Sequence, residues 1–226
     1  MKINNNYNSV AFLTLGCKVN AYETESIKEM FKNNGYEIKQ FNEVADIYIV
    51  NTCTVTNIAD RKSRQMLHRA KKLNPEAVVV AVGCYVQAPQ SKLEDDDLVD
   101  ILVGTRGKSS VLSLVEEYIR SNKTRDFKHN VIKSGEENKD WAYDSGEVNA
   151  GGGKNRANIK IQDGCDQFCT YCIIPFVRGR IRSRDMESIV EETDRLVKAG
   201  FREMVLTGIH IGSYGRDIDG ESCLLS

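Results

Sequence analysis

Residues 164–184 read GCDQFCTYCIIPFVRGRIRSR and hold Cys165, Cys169 and Cys172 in the spacing C-x3-C-x2-C. Three thiols this close can bind a metal or run a redox reaction, and their number discriminates between the two. A closed structural zinc site wants four ligands, commonly two C-x2-C pairs, and the chain offers no second pair. A disulfide redox couple uses two thiols and leaves the third unexplained. Closely spaced thiolates suit iron sulfide. A four-iron cluster with three protein ligands keeps one iron open, and an open position is how a metal site takes a small molecule directly.

Three further cysteines, Cys17, Cys53 and Cys84, follow the apolar runs LTLG, IVNT and AVG. Strands of a parallel sheet share one carboxyl edge, the edge where doubly wound folds bind ligands. Cysteines far apart in sequence can therefore meet there and share a metal or cluster site. Each taken singly is also compatible with a buried small hydrophobe. The seventh cysteine, Cys223, has no evident partner in the sequence.

Positioning these thiols requires alternating strands and helices, and the first 120 residues predict them. Expected strands are Val10–Leu15, Asp46–Val50, Ala77–Val82 and Val99–Val103. Expected helices are Ala21–Asn34, capped by Asn20 and stopped by Gly35; Asn57–Leu73, capped by Thr56; and Ser109–Ile119. Such alternation gives a parallel doubly wound sheet. Residues 121–155 are polar, include Gly151-Gly152-Gly153, and are expected to form a linker with one short strand around Val131. A second unit, 156–226, follows with a strand Asn158–Gln162, a helix Glu187–Ala199 ended by Gly200, and a strand Glu203–Leu206.

With 226 residues, 41% of them hydrophobic and 28% charged, the composition is that of a globular protein. A net charge of −1 supplies no overall field toward nucleic acid, so any such contact must come from local patches. No apolar run is long enough to span a bilayer, which argues against a membrane partner. The segment before Cys17 faintly resembles a lipoprotein signal, but its apolar run is short and a first strand is the better reading. Without a secretory signal the compartment is reducing and cytoplasmic, which favours metal or redox chemistry over disulfides.

The C-x3-C-x2-C spacing after a strand, with Tyr171 before the last cysteine, resembles the radical S-adenosylmethionine signature. LGCKVNAYET, IVNTCTVT, VGCYVQ, KIQDGCDQFCTYCIIPFVRGRIRSR and EMVLTGIHIGSYGRD extend the resemblance to the methylthiotransferase branch over most of residues 10–217. Within that branch they are most similar to the enzymes that modify threonylcarbamoyladenosine beside the tRNA anticodon. The resemblance implies a [4Fe-4S] cluster on Cys165, Cys169 and Cys172, with S-adenosyl-L-methionine on its open iron and Tyr171 near the cofactor's adenine. It implies a second [4Fe-4S] cluster on Cys17, Cys53 and Cys84 that handles sulfur. One cofactor molecule would give a methyl group and another a deoxyadenosyl radical, leaving a methylthio group on carbon 2 of adenosine. The implied partners are tRNA and an electron donor for the clusters.

The implied fold is an N-terminal doubly wound sheet (1–120) followed by the first strand-helix units of an incomplete radical S-adenosylmethionine (β/α) barrel. Measured against the family's barrel and trailing RNA-binding domain, the chain is expected to be C-terminally truncated, with exposed apolar surface and weak or absent turnover. A non-catalytic iron–sulfur fragment and a sister enzyme acting on a ribosomal protein are the alternatives.

Other residues carry weaker signals. Arg178, Arg180, Arg182 and Arg184 alternate, so in an extended segment they would project to one side, as a phosphate grip or as a solvated edge paired to Asp185. Arg61, Lys62, Arg64, His68, Arg69, Lys71 and Lys72 make one helix basic, with Met66 on its apolar stripe; a solvated face explains them. His68, His129 and His210 are scattered, and no chemistry is assigned to them. Gly208, Gly212 and Gly215 could let the backbone approach a cofactor, or could form a plain turn.

Overall fold

The computed structural model describes residues 7–121 and 155–218. The expected linker, its strand near Val131, His129 and Cys223 lie outside the described residues. The first unit is a five-stranded, fully parallel sheet in the order β2-β1-β3-β4-β5. Its strands are β1 Ser9–Thr14, β2 Glu37–Lys39, β3 Ile47–Thr52, β4 Val78–Gly83 and β5 Ile101–Val103.

Residues along β3 and β4 are buried on both faces, which is why IYIVNT and VVVAVG are almost unbroken apolar runs. Alternate side chains serve opposite layers. Tyr48, Val50, Val79 and Ala81 pack with Leu67 and Ala70 of α2 (Asn57–Leu73). Ile47, Ile49, Val78 and Val80 pack on the other side with Ile27 and Phe31 of α1 (Lys18–Asn33) and with Val111 and Val115 of α4 (Val111–Arg120). A four-residue helix, α3 (Cys84–Gln87), follows β4 at once.

The helix expected at 57–73 has the bounds anticipated, and the Thr56 side chain caps it by accepting from the Ala59 amide. The first helix differs. It starts at Lys18 with Cys17 in the capping position, and Asn20 lies inside its first turns, fully buried. The short edge strand β2 was not anticipated: three residues of mixed polarity give no period-2 signal.

In the second unit the expected strand Asn158–Gln162 divides into β6 (Arg156–Lys160) and β7 (Gln162–Asp163). β6 pairs in parallel with β9 (Glu203–Thr207), whereas β7 pairs antiparallel with β8 (Arg182–Ser183). Ile159, Ile161, Ile189, Leu196 and Tyr214 form its core, under α6 (Met186–Lys198). A short helix, α5 (Ile174–Arg178), comes directly after the cysteine segment and packs on α3 of the first unit.

Gly83 closes β4 at φ +98° and ψ −155°, a region open essentially to glycine alone. An added Cβ would stand 2.5 Å from Asn51 Oδ1 and 2.9 Å from the Thr52 carbonyl. Gly83→Ala is therefore expected to destabilise the chain by about 1–3 kcal/mol, read as a lower urea midpoint with unchanged slope.

Candidate functional site

Strand register brings the first cysteine group to one edge. Thr52 pairs with Gly83, so Cys53 and Cys84 leave adjacent strands at the same level. The Leu15 amide donates to the Asn51 carbonyl at 2.9 Å, which carries the β1 exit alongside the β3 exit. At Gly16 a Cβ would stand 2.9 Å from Cys53 Sγ, so the turn bearing Cys17 lies against the Cys53 side chain. Cys17 is exposed, and Cys53 and Cys84 are buried.

Side chains lock these exits. Asn20 Nδ2 donates to the Leu15 and Thr52 carbonyls at 2.7 and 3.1 Å. Thr52 Oγ1 donates to the Val82 carbonyl at 2.7 Å. Ser63, from α2, accepts from the Cys53 amide at 3.3 Å and donates to the Cys53 carbonyl at 3.2 Å.

The second group lies in the irregular segment between β7 and α5. Cys165 and Cys172 are half-buried and Cys169 is exposed. The Cys165 amide donates to the Gly179 carbonyl at 3.1 Å and the Cys172 amide to the Cys169 carbonyl at 2.9 Å, so the segment begins and ends on tight contacts. Phe168 has φ +45°, the one positive-φ residue other than glycine among the described residues. Tyr171 is 91% exposed.

Between the two groups lies a buried ionic cluster that sequence reasoning did not find. Glu23 of α1 pairs with Arg178 (3.1 Å), Lys160 (2.9 Å) and Lys108. Asp163 pairs with Arg178 (2.9 Å), Lys160 (2.8 Å) and Arg182 (3.5 Å). Burial alone would push both carboxyls up, but Arg178 and the lysines and arginine around them hold both well below the usual carboxylate range. Lys160 is held above its usual value: burial opposes its charge, and Asp163 and Glu23 outweigh that effect. A second buried link joins Arg184 and Tyr22 to Glu192, with Tyr22 Oη donating at 3.0 Å.

The arginine row is therefore corrected. Arg178 ends helix α5 at 1% exposure, and Arg182 and Arg184 are also buried, so these three do not face solvent as a phosphate grip. Arg178 belongs to the helical turn 174–178 and not to the extended segment that follows, and the acceptors Glu23, Asp163 and Glu192 draw the three inward. Only Arg180 of the four is exposed, with its guanidinium 4.6 Å over the Phe168 ring.

On the basic helix α2, Arg64, His68, Arg69 and Lys71 bond to Tyr85, Asp96, Asn42 and Asp100, as suits a solvated, anchored face. His210 sits against Ser213. At Gly208 a Cβ would stand 2.8 Å from Gln162 Oε1. Gln162 is fully buried; it accepts from the Ile209 and His210 amides and donates to the Asp163 and Gly164 carbonyls. The close approach of Gln162 thus favours glycine at this position.

Among the described residues no three Cys, His, Asp or Glu side chains stand close enough to hold a single metal ion. A four-iron cluster is wider than one ion and is held by thiolates, so the fit turns on the donor set. Six cysteines here are free of disulfides. Burial holds the free Cys84 thiol above its usual value, with Arg178 and Lys108 pulling toward the thiolate and Glu23 and Asp163 against it. Arg178 Nε is buried with no hydrogen-bond partner among the described residues, a spare donor on the cation that acts on Cys84. This environment fits an anionic, thiolate-bound group.

An α/β unit with cysteines at the carboxyl edge of a parallel sheet, joined to a strand-helix unit with a C-x3-C-x2-C segment, defines a two-part cysteine-site protein. Residues 9–104 match the uncharacterized protein family UPF0004, and residues 159–219 match the Radical SAM superfamily. The threonylcarbamoyladenosine tRNA methylthiotransferase MtaB of Bacillus subtilis is 45% identical over 93% of this chain and 45% of its own length. Its Aquifex aeolicus namesake is 41% identical over 92% of this chain and 49% of its own. The tRNA-2-methylthio-N(6)-dimethylallyladenosine synthase of Clostridium novyi is 34% identical over 96% and 48%. The chain thus carries a UPF0004 segment followed by a Radical SAM superfamily segment, and more than nine-tenths of it is similar to tRNA methylthiotransferases. It spans about half the length of these relatives. No helix among the described residues is long and apolar enough to cross a membrane.

Removing one member of the ionic cluster leaves the others buried and uncompensated. Arg178→Met is expected to cost about 3–5 kcal/mol in urea denaturation. Because Glu23 and Asp163 are held low in the folded chain, their contribution is present above the ordinary carboxylate pKa and is lost only as pH falls through their folded values. Urea midpoints should stay level from neutral pH down to about 5 and fall below about 4. Glu23→Gln should begin lower and show a shallower acid limb.

Proposed function

We propose that this chain carries the cluster-bearing part of a tRNA methylthiotransferase that adds a methylthio group to carbon 2 of N6-threonylcarbamoyladenosine beside the anticodon. The observation that carries the reading is the pairing of two cysteine triads across one buried joint, in a chain similar to two threonylcarbamoyladenosine tRNA methylthiotransferases. On this reading the functional division is 1–120, a linker 121–155, and a partial radical S-adenosylmethionine unit 156–226.

Cys17, Cys53 and Cys84 would hold one [4Fe-4S] cluster, and Cys165, Cys169 and Cys172 the other. When bound, these clusters and S-adenosyl-L-methionine supply the one-electron chemistry, the methyl group and the route for sulfur. The residues of the chain do the rest. Asn20, Thr52 and Ser63 hold the first group's exits, and buried Glu23, Asp163 and Arg178 fix one unit on the other without admitting water. Exposed Tyr171 and the tight Gly208 turn would face S-adenosyl-L-methionine.

Arg180, over Phe168 and beside Asp166, presents a cation and an aromatic face suited to RNA; of the four arginines it would be the one to touch tRNA. Thiolate clusters and a tRNA substrate both call for a reducing cytoplasm and an electron donor.

Anaerobic reconstitution with iron and sulfide should yield about eight irons per chain, two four-iron clusters. Cys17→Ala and Cys165→Ala should each remove about half. Added reductant and S-adenosyl-L-methionine should then release 5′-deoxyadenosine in the wild type and not in Cys165→Ala. Stoichiometric zinc without iron–sulfur absorption would refute the reading. Two clusters without cofactor cleavage would favour a cluster-binding, non-catalytic chain.

A further inference from the structure

Asn20 stands where the two cysteine groups are tied together. One end of its carboxamide donates to the Leu15 carbonyl, two residues before Cys17, and to the Thr52 carbonyl, directly before Cys53. The other end accepts from Arg178 Nη2 at 2.5 Å and lies 3.8 Å from Cys17 Sγ. The backbone of Asn20 is held as well, its carbonyl accepting from Asn51 Nδ2 at 3.0 Å.

Arg178 carries the link into the second unit. Its Nη1 donates to Asp163 Oδ1 at 2.9 Å, and the same oxygen accepts from the Gly164 amide at 2.8 Å, directly before Cys165. Gly179, next to Arg178, accepts from the Cys165 amide. Arg178 and its neighbour Gly179 thus hold the segment carrying Cys165, Cys169 and Cys172 at its Cys165 end.

We propose that Asn20 and Arg178 are positioning residues that set the two cysteine triads relative to one another, one by clamping the first triad's loops and the other by joining that clamp to the second triad's segment. This rests on the reading that both triads hold clusters. The residue types suit the task. Only a carboxamide can donate to two carbonyls and accept from a guanidinium at once. Only a guanidinium offers a planar fork that reaches Asn20, Asp163 and Glu23 together, which a lysine's single ammonium cannot reproduce. A plain docking contact needs neither feature, since any buried ion pair would serve it.

Two variants of the whole chain separate these roles. Asn20→Asp keeps an acceptor for Arg178 and loses both donors to the carbonyls; Arg178→Lys keeps the charge and loses the fork. In the metal-free chain, Asn20→Asp should speed amide exchange at residues 15–17 and 52–53 about tenfold, the loss of one hydrogen bond's worth of protection, and leave α4 unchanged. In the iron-loaded chain, the same variant should weaken retention at Cys17, Cys53 and Cys84 against a chelator by about 10- to 100-fold, with the Cys165 group unaffected. Arg178→Lys should keep both clusters yet change the magnetic coupling between them when both are reduced.

Native exchange at 15–17 and 52–53 in a folded Asn20→Asp chain would overturn the proposal, as would native coupling in folded Arg178→Lys. If Arg178→Lys does not fold, Asn20→Asp decides. If the wild type takes up no iron, the functional reading fails by itself and the metal-free exchange still decides the positioning role.

Discussion

The joint between the two units depends on a guanidinium placed where water does not reach it. Arg178 is one of the largest fully buried side chains, and its neighbours Glu23, Asp163, Lys160 and Lys108 are buried with it. Charges taken out of water are costly one by one and tolerable only as a mutually satisfied set. Such a set tolerates few geometries, because moving one member strands the others. Two units joined through it have a defined mutual placement, which an apolar contact of equal area could let slide. The same cluster underlies both cysteine groups: Glu23 and Asn20 come from the helix that Cys17 caps, and Asp163 and Arg178 flank the second group's segment.

Above this joint the sheet supplies rigidity. Parallel pairing brings Thr14, Thr52 and Gly83 to one edge with the backbone hydrogen-bonded up to the last residue. Each chain exit is then tied by a side chain from elsewhere, Asn20 across β1 and β3, Thr52 across β3 and β4, and Ser63 from α2. Cys17 and Cys53 sit on turns and Cys84 opens the short helix α3, all at chain exits that are fixed, the arrangement a ligand site needs if thiolates are to meet one group without rearrangement.

The second unit is less enclosed. Its β6–β9 pair leaves Leu206 exposed, and α6 exposes Val190 and Val197. Exposed apolar surface on this unit was expected from the sequence.

Much of this was legible in the residues. Unbroken apolar runs announced the buried parallel strands, Thr56 and the 3.6-residue period announced α2, and cysteines placed just after strands announced their common edge, because each signal is local and periodic. The arginines were misread for the same reason. Alternation in RGRIRSR is a local pattern, but α5 and acceptors on other elements, Glu23 of α1 among them, decided where those side chains went. Asn20 was misread as a cap because an asparagine before an apolar run is usually one; its buried role depends on Leu15, Thr52 and Arg178 arriving from three other elements. By itself the sequence determined the elements, the sheet's direction and the thiols available for chemistry, since these follow from periodicity and residue type. Only the tertiary structure decided which charges were buried and which pairs joined the two units, because the energy of a charge depends on what surrounds it in space, and neighbours in space are not neighbours in the chain.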